Sequence, residues 1–381
     1  MSGPIVSPLA FAAGMAIVLG TAGSLIRTLV LPRGLASRLS VLVGRSVVRR
    51  SFLLAARVAD SYETKDRILA ASAPMALLSV LLAWLTLFVI GYSLMFWAVV
   101  DVTLPDALRE VGSSTFTLGF TTTESYAATV IDFVAAGTGL VAIALEIAYL
   151  PVIYSAFNRR ETLVTMLQSR AGSPAWGPEI LARHQMVNIV DSLRELYNEW
   201  EAWAADVAES HANYPVLVWF RSPHPLRSWI VGLLAVMDSA ALYLALSPSR
   251  APSEARLCLR MGFNCLRDIA EAVGIPFDVD PFPEDPIELT FEEFAAGVRR
   301  AEEVGFPLER TPEEAWVHFR GWRVNYEAIA YRIADAVVAP PGPWSGRRAF
   351  LPDMAIAPQR PPNRRPEDPE DEGRPRGHRG F

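Results

Sequence analysis

The chain has 381 residues, 51% hydrophobic and only 20% charged, with a mean hydropathy of +0.23. That balance excludes an ordinary water-soluble enzyme domain. The net charge of −6 is the sum of 35 basic and 41 acidic residues spread along the chain, so no basic face for nucleic acid is expected. Cys258 and Cys265 are the only cysteines. Their spacing suits one face of a helix and buried thiols in a reducing compartment, not a disulfide framework or a zinc knuckle.

A membrane-crossing helix needs roughly 20 apolar residues. The first such run, Pro4 to Ile26, is followed by Arg27, Arg33 and Arg38. A cleavable signal peptide places its positive charge ahead of the apolar core, so this run reads as a retained span. The second lies within Ala73–Val100, inside a stretch from Ile68 to Val100 that carries no charge, and its Trp84–Trp97 half is rich in aromatics suited to a headgroup boundary. The third, Tyr126 to Phe157, is interrupted only by Asp132 and Glu146.

Orientation follows from the loops, because short cytoplasmic segments collect Arg and Lys. Residues 33–71 hold Arg33, Arg38, Arg45, Arg49, Arg50, Arg57, Lys65 and Arg67 against three acids, whereas 101–125 hold Arg109 against four. The expected arrangement has the N-terminus outside, three crossings and a cytoplasmic C-terminus in a cell membrane. A fourth apolar run, Trp229–Ser247, contains Asp238 and precedes Arg250, Arg256, Arg260 and Arg267. Crossing there would put those arginines outside and a carboxylate near mid-membrane, so a buried helix of a cytoplasmic bundle is the preferred reading.

Between the second and third spans, Pro105–Thr115 reads as a short helix with Pro at its opening and Asp106 in its first turn. Then comes Thr117-Leu118-Gly119-Phe120-Thr121, a hydroxyl-rich strip centred on glycine. Span, short helix, Thr-aliphatic-Gly-aromatic strip and span, in that order, resemble the pore module of the potassium-channel superfamily over about residues 75–158. In that family the strip is Thr-Val-Gly-Tyr-Gly or a variant of it, and four copies surround one axis. The resemblance implies a homotetramer whose backbone carbonyls, with the Thr117 hydroxyl, replace the hydration shell of potassium. Gly119 permits dihedrals closed to other residues, and Phe120 would pack behind the strip. The sequence departs from the family at Thr121, where a second glycine is usual, and at Phe120 and Thr122, which stand where Tyr and often Asp are found. Those departures bear on the outermost ion site and on strict potassium selectivity.

The resemblance further implies a bend of the third span at Gly137 or Gly139; close helix packing by small residues is the alternative. Glu146 is an intramembrane carboxylate, which in a tetramer would form a ring of charge facing an inner cavity. The alternatives for Glu146 are a pair with Arg27 and a place at the inner interface. Pro151 is expected to kink or end the span.

Residues 159–338 read as a helical cytoplasmic domain. A helix is predicted over Met186–Ala208, with a stripe including Val187, Ile189, Leu193, Tyr197, Trp200 and Trp203, and another over Ser253–Val273. Capping boxes open two more at Thr290-Phe-Glu-Glu293 and Thr311-Pro-Glu-Glu314, the last continuing through Ile329. Histidines lack metal-ligand spacing and no nucleotide-binding loop appears, so neither an enzyme nor a cofactor is expected. The acidic run 278–288 contains three prolines, which break any calcium-loop geometry. The tail from 339 to 381, rich in Pro, Arg, Asp and Glu, is expected to be disordered.

The sequence therefore predicts an all-α membrane protein: an N-terminal span (1–31), a basic segment (32–71), a pore module with a re-entrant helix (72–158), a helical domain (159–338) and a tail (339–381). Passive conduction of potassium or monovalent cations is the leading expectation, with the bilayer and other copies of the chain as partners and the cytoplasmic ligand unknown. A non-conducting, membrane-anchored signalling or scaffold protein is the competing one.

Overall fold

Backbone groups in hydrocarbon have no water to bond, so long apolar runs form helices that satisfy their own hydrogen bonds. The structure, a computed structural model, describes residues 6–31, 37–121 and 125–346. Every regular element among them is helical. Four helices are long and apolar enough to cross a membrane, within Pro8–Leu29, Tyr62–Val99, Tyr126–Ala171 and Trp229–Leu246. Such helices are compatible with a membrane protein.

The chain forms two compact units whose boundaries cut across the expected domains: 1–162 with 205–225 and 264–277, and 163–204 with 226–263 and 278–381. Parts of the C-terminal sequence thus fold with the apolar N-terminal half, because three long helices, over 126–171, 193–213 and 253–273, each contribute to both units.

The first unit contains α1 (Val6–Leu29), the short α2 (Arg38–Ser40), a π-helical stretch Val41–Val48, α3 (Arg49–Ala56), α4 (Tyr62–Ala70), α5 (Ser72–Val99) and α6 (Leu104–Thr115). It also contains most of α7 (Tyr126–Ala171). Helices α1 and α5 run antiparallel in close contact. A Cβ on Gly91 would lie 2.8 Å from Val18 Cγ2 and 3.0 Å from the Gly14 carbonyl, so this approach needs glycine. One end of the pair is tied by the Trp84 indole donating to Ser24 Oγ at 2.9 Å.

Helix α7 buries Ala128, Ile131, Ala135, Gly139, Ala142, Glu146, Tyr149, Ile153, Ala156 and Arg160, in steps of three and four that make a single stripe. Its other side exposes Val130, Phe133, Leu140, Val141 and Ile147. Pro151 neither ends nor interrupts this 46-residue helix. Proline removes one backbone hydrogen bond, and the packed residues Tyr149, Ile153 and Ala156 hold the turns on both sides of it.

The second unit holds α8 (Gly177–Met186), the start of α9 (Leu193–Asn213), α10 (Trp229–Leu246), the start of α11 (Ser253–Val273), α12 (Phe291–Glu302), α13 (Pro312–Arg323) and α14 (Glu327–Ala336). Every residue of α10 is buried, with α8, α13 and α14 packed on it, as befits a helix apolar all round. Both capping boxes form: Thr290 with Glu293, and Thr311 with Glu314.

Three boundaries differ from expectation. The helix predicted from Met186 starts at Leu193, because Asn188 takes a left-handed conformation (φ 56°) and leaves Val187 and Ile189 half-exposed. The helix predicted through Ile329 breaks after Arg323 and resumes at Glu327, where Arg323 turns inward to bond buried acids. Finally, the first part of the tail is packed: Trp344 is buried against Phe294 and Phe319. Residues 347–381, the rest of the expected disordered tail, lie outside the described residues.

Candidate functional site

Helix α6 starts where Thr103 accepts from the Asp106 amide (3.3 Å) and donates to Asp106 Oδ2 (2.5 Å). It packs through Ala107, Val111, Ser113 and Thr115, all but fully buried. Its C-terminal end carries the partial negative charge of the helix and leads into the glycine strip.

In the strip, Thr117 (φ 55°) and Gly119 (φ 68°) are both left-handed. The amides turn back toward the helix end: Thr117 N–H donates to Ser114 O (3.0 Å), Leu118 N–H to Ser113 O (2.8 Å), and Phe120 N–H to Ser113 Oγ (3.1 Å). The carbonyl oxygens of 117–120 accept no hydrogen bond from any described residue. Thr117, Leu118, Gly119 and Phe120 are exposed in the single chain, while Thr121 is half-buried with its hydroxyl unpartnered. The Phe120 ring is exposed and lies 5.6 Å from the Arg109 guanidinium. Thr122 lies outside the described residues.

The two glycines of α7 differ. Gly139 is on the packed stripe, and a Cβ there would collide with the Thr115 carbonyl; it lets α7 approach the end of α6. Gly137 sits on the exposed side with open space around it. Asp132 accepts from Ser114 Oγ at 2.9 Å, a second tie between α7 and α6.

Glu146 belongs to the same packed stripe and lines a cavity of about 170 Å³ within the first unit. The cavity is walled by α1, the π-helical stretch, α5, α7 and the 3₁₀ turn Pro215–Trp219. Arg27, Arg45 and Arg49 also line it. Glu146 makes no ion pair or hydrogen bond among the described residues. Arg45 donates to Val273 O at 2.8 Å, and Arg49 stacks 4.2 Å over the Trp219 ring. Burial, and then the like charges of Arg45 and Arg221, push the Arg49 guanidinium down to about 10.

Sequence reasoning used Arg45 and Arg49 only to orient the chain and missed the cavity, in whose wall Arg45 meets Val273, 228 positions away. It missed two buried ionic clusters as well. Arg160, fully buried, donates to Glu161 (2.9 Å), His211 Nε2 (3.1 Å), Leu217 O and Phe220 O (both 2.8 Å). Since arginine can only donate, His211 Nε2 is unprotonated and the ring is the neutral Nδ1–H tautomer. Arg323 bonds Asp238 and Glu327, each at 2.6 Å, in the second unit. Both clusters are enclosed by side chains that hold helices together.

Comparison with known family models, characterised proteins and solved structures returns no match. The site is therefore read from its own geometry.

Proposed function

We propose that this chain is a subunit of a passive channel for potassium or other monovalent cations, with four copies placing Thr117–Thr121 around one axis. The single observation that carries the reading is the polarity of the strip. The amides of Thr117, Leu118 and Phe120 bond the end of α6, and the carbonyl oxygens of 117–120 accept from no described residue. Unpaired carbonyls are costly in an apolar setting unless water or a cation meets them. Supporting this, the strip follows the negative end of α6 and lies between two long apolar helices.

In this reading α1, α5 and α7 cross the membrane, with the N-terminus outside and residues 33–71 and the C-terminus in the cytoplasm. Helix α10 stays within the second unit. The exposed side of α7, including Gly137, is what a neighbouring copy or the pore would cover.

The test is the reversal potential of purified full-length protein in lipid bilayers, potassium against sodium, with Gly119→Val alongside. A potassium-directed reversal abolished by the variant supports a selective filter. A reversal near zero, again abolished, supports a weakly selective cation pore. Absence of current across voltage, pH and tension, from protein that is monomeric in detergent, refutes the pore and favours a membrane-anchored scaffold.

A further inference from the structure

The basic stretch between α1 and α5 forms an uninterrupted helix from Arg38 to Ala56, made of α2, the π-helical stretch Val41–Val48 and α3. Residues 38–59 carry five arginines and no acid, in a chain that holds more acids than bases. Two of the five are engaged within the first unit: Arg45 donates to Val273 O, and Arg49 stacks over Trp219. Arg38, Arg50 and Arg57 are exposed and make no hydrogen bond or ion pair among the described residues. Leu42, Val47 and Leu54 are each more than half exposed.

The π-helical turns decide how these aliphatic side chains are arranged. In an α-helix Leu42 and Val47, five residues apart, would point about 140° away from each other. Bonding from i to i+5 instead brings residues five apart close to one line. Leu54 follows seven residues after Val47, nearly two α-helical turns, and so continues the row. The opposite side is the packed one. Ala56 there is buried, and a Cβ on Gly44 would lie 3.6 Å from Ala76 and 3.8 Å from Val80 of α5.

Position says what covers the row. The helix is tied to the end of α1 by hydroxyl bonds between Ser37 and Ser24 (2.6 Å) and between Ser40 and Thr28 (2.9 Å), and it packs on the first turns of α5 at Ala76 and Val80. At 28 residues α5 is about 42 Å long against about 30 Å of hydrocarbon, so its terminal turns stand at headgroup level. An aliphatic row flanked by arginines at that depth matches a surface that is apolar below and negatively charged above. We propose that residues 38–58 form an interfacial helix seated on an anionic lipid leaflet, with Leu42, Val47 and Leu54 in the acyl boundary and Arg38, Arg50 and Arg57 among the phosphates. Because this helix is joined to α1 and packed on α5, the charge of the leaflet holds the ends of both. The proposal rests on α1 and α5 crossing a bilayer, and not on conduction.

The experiment is power-saturation electron paramagnetic resonance of the full-length protein in vesicles of phosphatidylglycerol or of phosphatidylcholine. A nitroxide is attached in turn to Leu42→Cys, Leu54→Cys, Leu82→Cys and Glu313→Cys. Leu82 is exposed on α5 and reports the bilayer, while Glu313 is exposed on α13 and reports water. Cys258 and Cys265 are fully buried, and the unsubstituted chain measures their background. In phosphatidylglycerol the labels replacing Leu42 and Leu54 should collide with oxygen in preference to a water-soluble nickel chelate, as at Leu82 and unlike at Glu313. An arginine near an anionic surface is worth about fivefold in binding, so Arg38→Gln/Arg50→Gln/Arg57→Gln should lower the ratio of immersed to lifted helix about a hundredfold in phosphatidylglycerol and little in phosphatidylcholine. A melting curve checks that this triple variant folds. Labels replacing Leu42 and Leu54 that read like Glu313 while Leu82 reads lipid would overturn the proposal alone; a water reading at Leu82 as well would overturn the crossing on which it rests. Labels shielded from both oxygen and nickel would put another copy of the chain on the row and overturn it too. Immersion that is equal in the two lipids and unchanged in the triple variant would overturn the anionic recognition. Absence of current with the labels immersed would count against the pore alone.

Discussion

Replacing Arg323 by methionine keeps most of the side-chain stem and removes four donated hydrogen bonds. These go to Asp238 (2.6 Å), Glu327 (2.6 Å), the Tyr331 hydroxyl (2.7 Å) and Trp344 O (2.8 Å). Arg323 has no solvent exposure, and Asp238 and Glu327 are 1% and 3% exposed. After the change Asp238 keeps the Tyr326 hydroxyl at 2.8 Å, and Glu327 keeps the amides of Glu288 and Leu289. Two buried carboxylates then lack their cation, and breaking a buried pair in this way costs about 3–5 kcal/mol. The assay is denaturant unfolding of the full-length protein in detergent, followed by tryptophan fluorescence. Arg194→Met serves as control, since Arg194 is 66% exposed beside Glu254 at 3.6 Å and its loss should leave the midpoint unchanged. Adding Asp238→Asn to Arg323→Met should recover part of the loss, because the uncompensated charge goes with it. A midpoint for Arg323→Met equal to that of the control would refute the reasoning.

Four further outcomes are expected. Gly139→Ala should destabilise by about 1–3 kcal/mol, because its Cβ meets the Thr115 carbonyl, whereas Gly137→Ala should be neutral or stabilising; paired unfolding curves decide this. Burial holds His184 below its ordinary pKa, and burial together with Arg160 holds His211 well below it. The folded state therefore binds fewer protons than the unfolded chain, so their contribution is complete above about pH 6.5 and falls by up to about 1.4 kcal/mol per histidine for each pH unit below. An unfolding midpoint that does not fall between pH 7 and pH 5 would contradict it. Thr290→Ala removes the cap of α12 and should cost about 1 kcal/mol by the same assay. Cys258 and Cys265 are fully buried and their thiols pushed up by burial, so a water-soluble thiol reagent should label neither until the protein unfolds.

Local signals carried much of the architecture. Pro105 and Asp106 mark the start of α6, and Thr290 and Thr311 define those of α12 and α13, because a helix start needs only residues within one turn of it. The apolar runs likewise mark α1, α5, α7 and α10, since hydrophobic length is a property of contiguous sequence. The strip 117–121 was legible as a motif from its threonine and glycine. Which way its amides point was not, for that depends on Ser113 and Ser114 facing it across a turn.

What tertiary structure alone decided involves partners far apart in the chain. Arg45 and Arg49 look like ordinary flanking charges until Trp219 and Val273 arrive to make a cavity with them. Arg160 is a charged residue three positions past the third apolar run, yet it is buried, bonded to His211 and to the carbonyl of Leu217 in the 3₁₀ turn at Pro215–Trp219. Asp238 in an apolar helix looks costly until Arg323, 85 positions later, neutralises it. Helical periodicity tells which face a residue occupies, but not what will cover that face. Burial and charge pairing are settled only when distant segments meet.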